Sequence, residues 1–217
     1  MATPGESPGP RTGPRWLEWS RRLQGVAQAG LTHSQSRYDL ERYDEVRRVA
    51  AEIAAAGSGG EADAILAFFA SERGYPTPKI DVRAAVFLDD SILLVHERDD
   101  EGWALPGGWA DVGESAGEAA VRETREEAGV EVRPEKLIAL YERERRGHPP
   151  HPEFSYKAFF ACRACGAVEP HAGPETLGAE FFMPDALPRL SRARVTPQEI
   201  AVAFAHHRDP SLPTEFD

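Results

Sequence analysis

The chain reads as an α+β protein, a mixed sheet with helices packed on it, preceded by a small helical domain. Three observations predict this. Apolar residues recur at three- and four-residue steps through three segments before residue 75. The breaker cluster GYPTPK (74–79) then ends the helical periodicity. Beyond it, short strand-like runs alternate with turns and two capped helices.

The opening MATPGESPGPRTGPR has Pro, Gly and Arg but no apolar segment. It is expected to be a disordered lead-in over 1–14, not a signal peptide. In RWLEWSRRLQGVAQAG (15–30) the helical stripe is Trp16, Trp19, Leu23, Val26 and Ala27. In YDLERYDEVRRVAAEIAAAG (38–57) it is Leu40, Tyr43, Val46, Val49, Ala50 and Ile53, with Gly57 suited to the helix exit. SGGEADAILAFFASERG (58–74) supplies a third helix, with Ile65, Leu66, Phe68 and Phe69 apolar. These three make up a predicted helical domain at 15–75, with a second domain at 78–208.

In the second domain, IDVRAAVFL (80–88) and ILLVHER (92–98) flank Asp89-Asp90-Ser91 and read as a hairpin. LIALYERER (137–145), FSYKAFFACR (154–163) and AEFFM (179–183) are further strand candidates. Helices are signalled at 115–128 and 196–207. The second opens Thr196-Pro197-Gln198-Glu199, a capping box with proline at the first helical position.

Composition narrows the function. The 217 residues suit one good-sized domain with a small companion, and 41% hydrophobic with 28% charged residues is ordinary for a soluble protein. The longest apolar run, AILAFFA (64–70), is too short to span a bilayer, so a cytoplasmic location is the expectation. A net charge of −11 argues against general binding to nucleic acid or anionic membranes. It leaves phosphorylated small molecules open, provided divalent metals mediate. The two cysteines, Cys162 and Cys165, have no further Cys or His pair at zinc-site spacing and are read as structural.

The chemistry concentrates in ALPGGWADVGESAGEAAVRETREEAGVEV (104–132). A strand end runs into Pro106-Gly107-Gly108, and Ser115-x-x-Glu118 is a capping box opening a helix that Gly129 closes. On that helix Glu123, Glu126 and Glu127 are i, i+3 and i+4 neighbours, about 5–6 Å apart at Cβ. Like charges so placed destabilise by a few tenths of a kcal/mol per pair, and the negative end of the helix dipole adds to the cost. A hard divalent cation against that face would remove the penalty. Taken alone, the octamer RETREEAG (122–129) is equally a solvated face on which Arg122 and Arg125 offset the glutamates.

The wider spacing decides between them. Gly108, five residues, Glu114, seven residues, then Arg122-Glu123-Thr124-Arg125-Glu126-Glu127-Ala128-Gly129-Val130 resembles the Nudix box, Gly-x5-Glu-x7-Arg-Glu-U-x-Glu-Glu-x-Gly-U, where U is bulky and aliphatic. All seven specified residues match. Thr124, at the first U, is the one departure.

The resemblance implies a Nudix-type α/β/α sandwich. It also implies hydrolysis of a nucleoside diphosphate linked to another moiety, with Mg²⁺ or Mn²⁺ as cofactor. By position, Glu123, Glu126 and Glu127 would bind metal, with the Gly108 carbonyl. Arg122 would orient those carboxylates, and Glu114 would support them. The bound metal would activate the water that attacks phosphorus in line. The family often draws its general base from a later loop, here GPETLGAEFFMP, where Glu175 is preferred over Glu180.

The helical segment from Trp16 to Ala54, and WALPGGWADVGES leading into the box, resemble the subgroup acting on ADP-ribose and CDP-choline. In that subgroup the helical domain contributes to dimer formation, so a homodimer is expected. Trp103 and Trp109 flank the glycine turn as candidates to stack on a base or a choline cation, with core packing as their alternative fate. RRGHPPHPEF (145–154) is a candidate substrate edge or lid. Arg192 and Arg194, beside the last helix, are candidates to grip phosphate, Arg194 foremost. Two other functions use the same residues: a nucleotide-binding module without catalysis, which the complete box argues against, and RNA-end processing, which the acidic balance argues against.

Overall fold

The computed structural model describes residues 13–217, so most of the expected lead-in lies outside the described residues. The chain forms two compact units: Gly13–Pro78 with Pro150–Phe154, and Lys79–Pro149 with Ser155–Asp217.

The first unit holds α1 (Arg15–His33), α2 (Arg37–Ser58) and α3 (Ala62–Ser71). Small residues let these helices approach closely. Ala50 and Ala51 are buried with Phe69, against Leu23, Ile65 and Leu66, and the Ser20 hydroxyl donates to Ala50 O at 2.8 Å. The exit expected at Gly57 is corrected. The helix runs through it to Ser58, and Gly59 (φ 75°) is the left-handed cap. A Cβ at Gly57 would lie 2.1 Å from the Trp16 ring, so this glycine serves helix–helix approach. Trp19, Val26, Val49 and Phe68 stay substantially exposed on the unit.

The second unit has β1 (Lys79–Leu88), β2 (Ser91–Glu97), β3 (Trp103–Ala104), α4 (Ala116–Ala128), β4 (Val132–Glu142), β5 (Ser155–Ala164), β6 (Thr176–Phe182), α5 (Pro197–Arg208) and β7 (Glu215–Phe216). The sheet order is β3-β2-β1-β5-β4-β7, with β6 also on β2. β1 and β5 run parallel and β4 and β5 antiparallel, so the sheet is mixed as expected. The β1–β2 hairpin turns on Asp89-Asp90, with Asp89 at φ 50°.

Strand alternation sorts the core into two faces. Val82, Ala84 and Val86 pack with Ala119, Ala120, Ala128, Ala158 and Cys162 on the α4 side. Ala85, Phe159 and Ile138 pack with Ile200, Ala203 and Phe204 on the α5 side. A helix on each face of one sheet is the α/β/α sandwich. β4 begins earlier than its apolar run suggests and passes Pro134 at a register shift, where a missing N–H is tolerated. It also ends at Glu142, because Arg143–Arg146 turn into a short 3-10 helix instead of continuing the strand.

Candidate active site

β1 and β2 pair only at the hairpin, Phe87–Ile92 and Leu88–Ser91. Beyond that the polypeptide from Pro106 to Ala110 takes the place beside β1. Ala84 N donates to Pro106 O at 2.9 Å, Val82 N to Gly108 O at 2.8 Å, and Ala110 N to Ile80 O at 3.0 Å. Only glycine fits this path. Gly107 has φ 148°, and a Cβ there would lie 1.9 Å from Val82 O.

The turn delivers the chain to α4. Ser115 and Glu118 close the capping box, with Glu118 N to Ser115 Oγ at 3.2 Å and Ser115 N to Glu118 Oε2 at 2.7 Å. Gly129 ends the helix at φ 66°. Thr124, the departure from the family pattern, is fully buried and returns its hydroxyl to Ala120 O at 2.7 Å, so its polar atom is satisfied within the helix.

Arg122 braces the edge. Its Nε and Nη2 donate to the two oxygens of Glu114 at 3.1 and 2.7 Å, and Nη2 also reaches Trp109 O at 3.2 Å. Its Nη1 donates to Glu123 Oε1 at 2.9 Å and Glu126 Oε2 at 3.2 Å. Hydrogen bonds to Glu114 lead in raising the Arg122 pKa, and the same contacts hold the Glu114 carboxyl below its ordinary range. Glu127 is buried, and its Oε2 accepts from Gly107 N at 2.8 Å. Burial pushes the Glu127 carboxyl up to about 8, against the pull of Arg83 and the Gly107 amide. Burial also raises Glu123. Arg125 is exposed.

Each of the three box carboxylates thus has one oxygen held and one with no hydrogen bond among the described residues: Glu123 Oε2, Glu126 Oε1 and Glu127 Oε1. The donors are all hard oxygens, the set that Mg²⁺ prefers. They are not gathered on one point. Among the described residues no three His, Cys, Asp or Glu side chains lie together closely enough to hold a metal ion.

The other predicted residues are dispersed. Glu175 is exposed in the bend before β6. Its neighbours are tied to the end of α4, with Gly173 N and Thr176 Oγ1 both donating to Glu127 O, at 3.2 and 2.8 Å. Glu180 is exposed on β6, opposite Leu94. The Trp103 ring stacks on His96 (centroids 4.8 Å apart) and meets Phe182 edge-on at 4.8 Å, so it is built into the sheet surface. Trp109 is 42% exposed, with Lys79 Nζ 5.8 Å from its ring centroid. Arg194 is engaged by Glu97 (3.0 Å) and Asp99 (2.7 Å). Arg192 offers its carbonyl to His148, whose other nitrogen lies 2.8 Å from Glu199 in a sealed pair. Cys162 is buried and Cys165 exposed, both free thiols.

Two site residues escape the sequence reading. Arg83 is buried on β1, and its charge acts on Glu127, Glu97 and Glu123. Glu97, at the end of β2, is buried beside Arg194 with its carboxyl raised by burial. A charged residue inside the apolar run IDVRAAVFL is the one signal that could have found Arg83.

Known proteins align with this arrangement. Residues 77–203 match the NUDIX domain, and residues 14–69 match a family described as "UDP-X-like, N-terminal oligomerisation domain". The chain is 42% identical over 203 residues to the Bacillus subtilis protein named "Putative ADP-ribose pyrophosphatase YjhB", covering 94% of this chain and 97% of that one. An ADP-ribose pyrophosphatase of Methanocaldococcus jannaschii is 34% identical over 125 residues, covering 55% of this chain and 70% of its own. Among solved structures, a UDP-X diphosphatase aligns with TM-score 0.60 at 27% identity, covering 94% of this chain and 98% of its own. An ADP-ribose pyrophosphatase from Streptococcus suis aligns with TM-score 0.59 at 38% identity, covering 65% of this chain and all of its own. With the box glutamates on one helical edge and both domain families in sequence, the chain belongs to the Nudix family as a pyrophosphohydrolase of nucleoside diphosphate-linked compounds, carrying the UDP-X-like N-terminal domain.

Proposed function

We propose that the protein hydrolyses, with Mg²⁺ or Mn²⁺, the pyrophosphate bond of a nucleoside diphosphate linked to another moiety, of the ADP-ribose or CDP-choline type. The products are a nucleoside monophosphate and a phosphorylated second moiety. The observation that carries this is the α4 edge, where three carboxylates each keep one oxygen free beside an arginine that fixes the other side of two of them.

Glu123, Glu126 and Glu127, with the second lone pair of Gly108 O, would hold the metal. When bound, it offsets charge on the phosphate oxygens and lowers the pKa of a water. Arg122 keeps Glu123 and Glu126 aligned. Glu175, carried to the end of α4 by the Gly173 and Thr176 bonds, is the proposed general base, with Glu180 second. Trp103, Trp109 and Arg194 are the proposed substrate contacts. Trp109 is the most available of the three, and Arg194 would have to leave Glu97 or Asp99 to reach a phosphate. Exposed Trp19, Val26, Val49 and Phe68 on the helical unit support its use as a homodimer surface. No helix among the described residues is long and apolar enough to cross a membrane.

Incubation with ADP-ribose, CDP-choline, diadenosine polyphosphates and NADH in Mg²⁺, with products separated by chromatography, tests the reading. Release of a nucleoside monophosphate from at least one is expected. No turnover of any, with Mg²⁺-independent binding instead, would make the protein a binding module.

A further inference from the structure

β1 and β5 run parallel with Asp81 opposite Lys157, and by alternation both side chains leave the sheet with Arg83 on the face away from α4. Nothing in the phosphate chemistry of α4 requires charges there. Yet Asp81, Arg83 and Lys157 are all buried, Lys157 completely. Lys157 Nζ donates to Asp81 Oδ2 at 2.5 Å, and Arg83 Nε donates to Asp81 Oδ1 at 2.7 Å. Two basic groups thus share one carboxylate, and Glu127 and Glu97 supply further opposing charge to Arg83.

From that face the Arg83 guanidinium reaches the strand end that leads into the glycine turn. Arg83 Nη1 donates to Leu105 O at 3.1 Å, one residue before the Pro106-Gly107-Gly108 turn. Its guanidinium is the strongest opposing charge acting on Glu127. The backbone of the same three residues of β1 fixes the turn from the other side, through Val82 N on Gly108 O and a Gly107 seat directly on Val82 O. The turn in turn fixes the site, because Gly107 N holds Glu127 Oε2 and Trp109 O holds Arg122.

We propose that the Lys157–Asp81–Arg83 relay is positioning machinery for the metal edge: it clamps the Leu105–Gly108 turn to β1 and so sets where the Gly107 amide holds the Glu127 carboxylate. Arg83 is the working member, and Asp81 and Lys157 keep its fork aimed. The proposal rests on reading Glu127 as a metal-holding residue. Supporting groups behind a metal ligand are typically worth 10–100-fold in metal affinity or activity.

The test is Mn²⁺ binding, followed by electron paramagnetic resonance, to the wild-type protein and to R83M, R83K and K157M, with circular dichroism as the check on folding. R83M leaves Asp81 paired with Lys157, so the fold is expected to persist. Its Mn²⁺ affinity is expected to fall by about 10–100-fold. R83K recovers little, since an ammonium cannot bridge Asp81 and Leu105 O as a fork. K157M falls less than R83M, because Arg83 still holds Asp81. Saturating Mn²⁺ is expected to restore most of the R83M turnover number, which general destabilisation would not allow. Wild-type Mn²⁺ affinity in folded R83M overturns the proposal. So does a loss confined to inorganic pyrophosphate binding with Mn²⁺ affinity intact, which would make Arg83 a substrate contact. Wild-type Mn²⁺ binding without hydrolysis would sink the proposed activity and leave the positioning role standing. Absence of Mn²⁺ binding by the wild type sinks both.

Discussion

Gly107→Ala separates the geometry of the glycine turn from the chemistry of α4. Gly107 sits at φ 148°, and an added Cβ would lie 1.9 Å from Val82 O and 2.9 Å from Arg83 Cα. Both obstacles are backbone of the central strand, so neither can rotate away. The conformational penalty is about 1–3 kcal/mol, and forcing the overlap adds about 1–3 kcal/mol. A central value of about 4 kcal/mol lowers the melting temperature by about 8–16 °C for a chain of this size. Gly113→Ala is the control. It is also at positive φ (101°), but a Cβ there meets nothing within 4 Å, so only the conformational part remains, about 2 kcal/mol or 4–8 °C. Calorimetry of both variants is the assay, with Mn²⁺ titration beside it. G107A should also lose metal affinity, because the amide that holds Glu127 Oε2 is displaced, and G113A should keep it. Equal melting temperatures for the two variants, or unchanged Mn²⁺ affinity in G107A, would refute the argument that the turn seats the carboxylate.

Arg122→Lys loses the fork that joins Glu114, Glu123, Glu126 and the Trp109 carbonyl, so steady-state kinetics should show turnover falling by about 10–100-fold with the circular dichroism spectrum unchanged. Asp81→Asn leaves Arg83 and Lys157 buried without their anion, costing about 3–5 kcal/mol in denaturant melts at neutral pH. Burial alone would raise the Asp81 carboxyl, but Arg83 and Lys157 outweigh it and hold it below 3.8. The stability it contributes is therefore present above the unfolded value and lost as pH falls through the folded one, so the wild-type and D81N curves should draw together only as the pH falls below the ordinary carboxylate range. Iodoacetamide should label Cys165 rapidly in the native protein and Cys162 only after unfolding, since burial pushes the Cys162 thiol up to about 12. Mass spectrometry counts the adducts, and rapid double labelling would contradict the packing of β5.

The parts legible in the sequence are those set by local chemistry. Both capping boxes, Ser115–Glu118 and Thr196–Glu199, formed where their spacing placed them. The two-aspartate hairpin and the period switch after residue 79 reflect rules that act within a few residues. What escaped is non-local. β3 and β7 have two residues each and exist only because a neighbouring strand offers them an edge. Gly57 read as a helix exit because nothing nearby in sequence reveals that Trp16 lies over it. Arg83 reads as part of a strand, because its partners, Asp81 held by Lys157 across the sheet and the Leu105 carbonyl more than twenty residues downstream, meet it only in the fold. The box itself was legible because its residues lie within one helix and the loop before it. The RRGHPPHPEF segment shows the reverse, since burial of His148 against Glu199 needs a helix fifty residues away.

The central claim is that the α4 edge hydrolyses a nucleoside diphosphate derivative through a divalent cation. Its most direct test is the rate of nucleoside monophosphate release in Mg²⁺ by wild type, E126Q and E127Q, with circular dichroism showing each folded. Each change preserves shape while removing one carboxylate charge. Turnover should fall on the order of 100-fold or more in both variants, and in the wild type on chelation with EDTA. Turnover retained by both folded variants would contradict it.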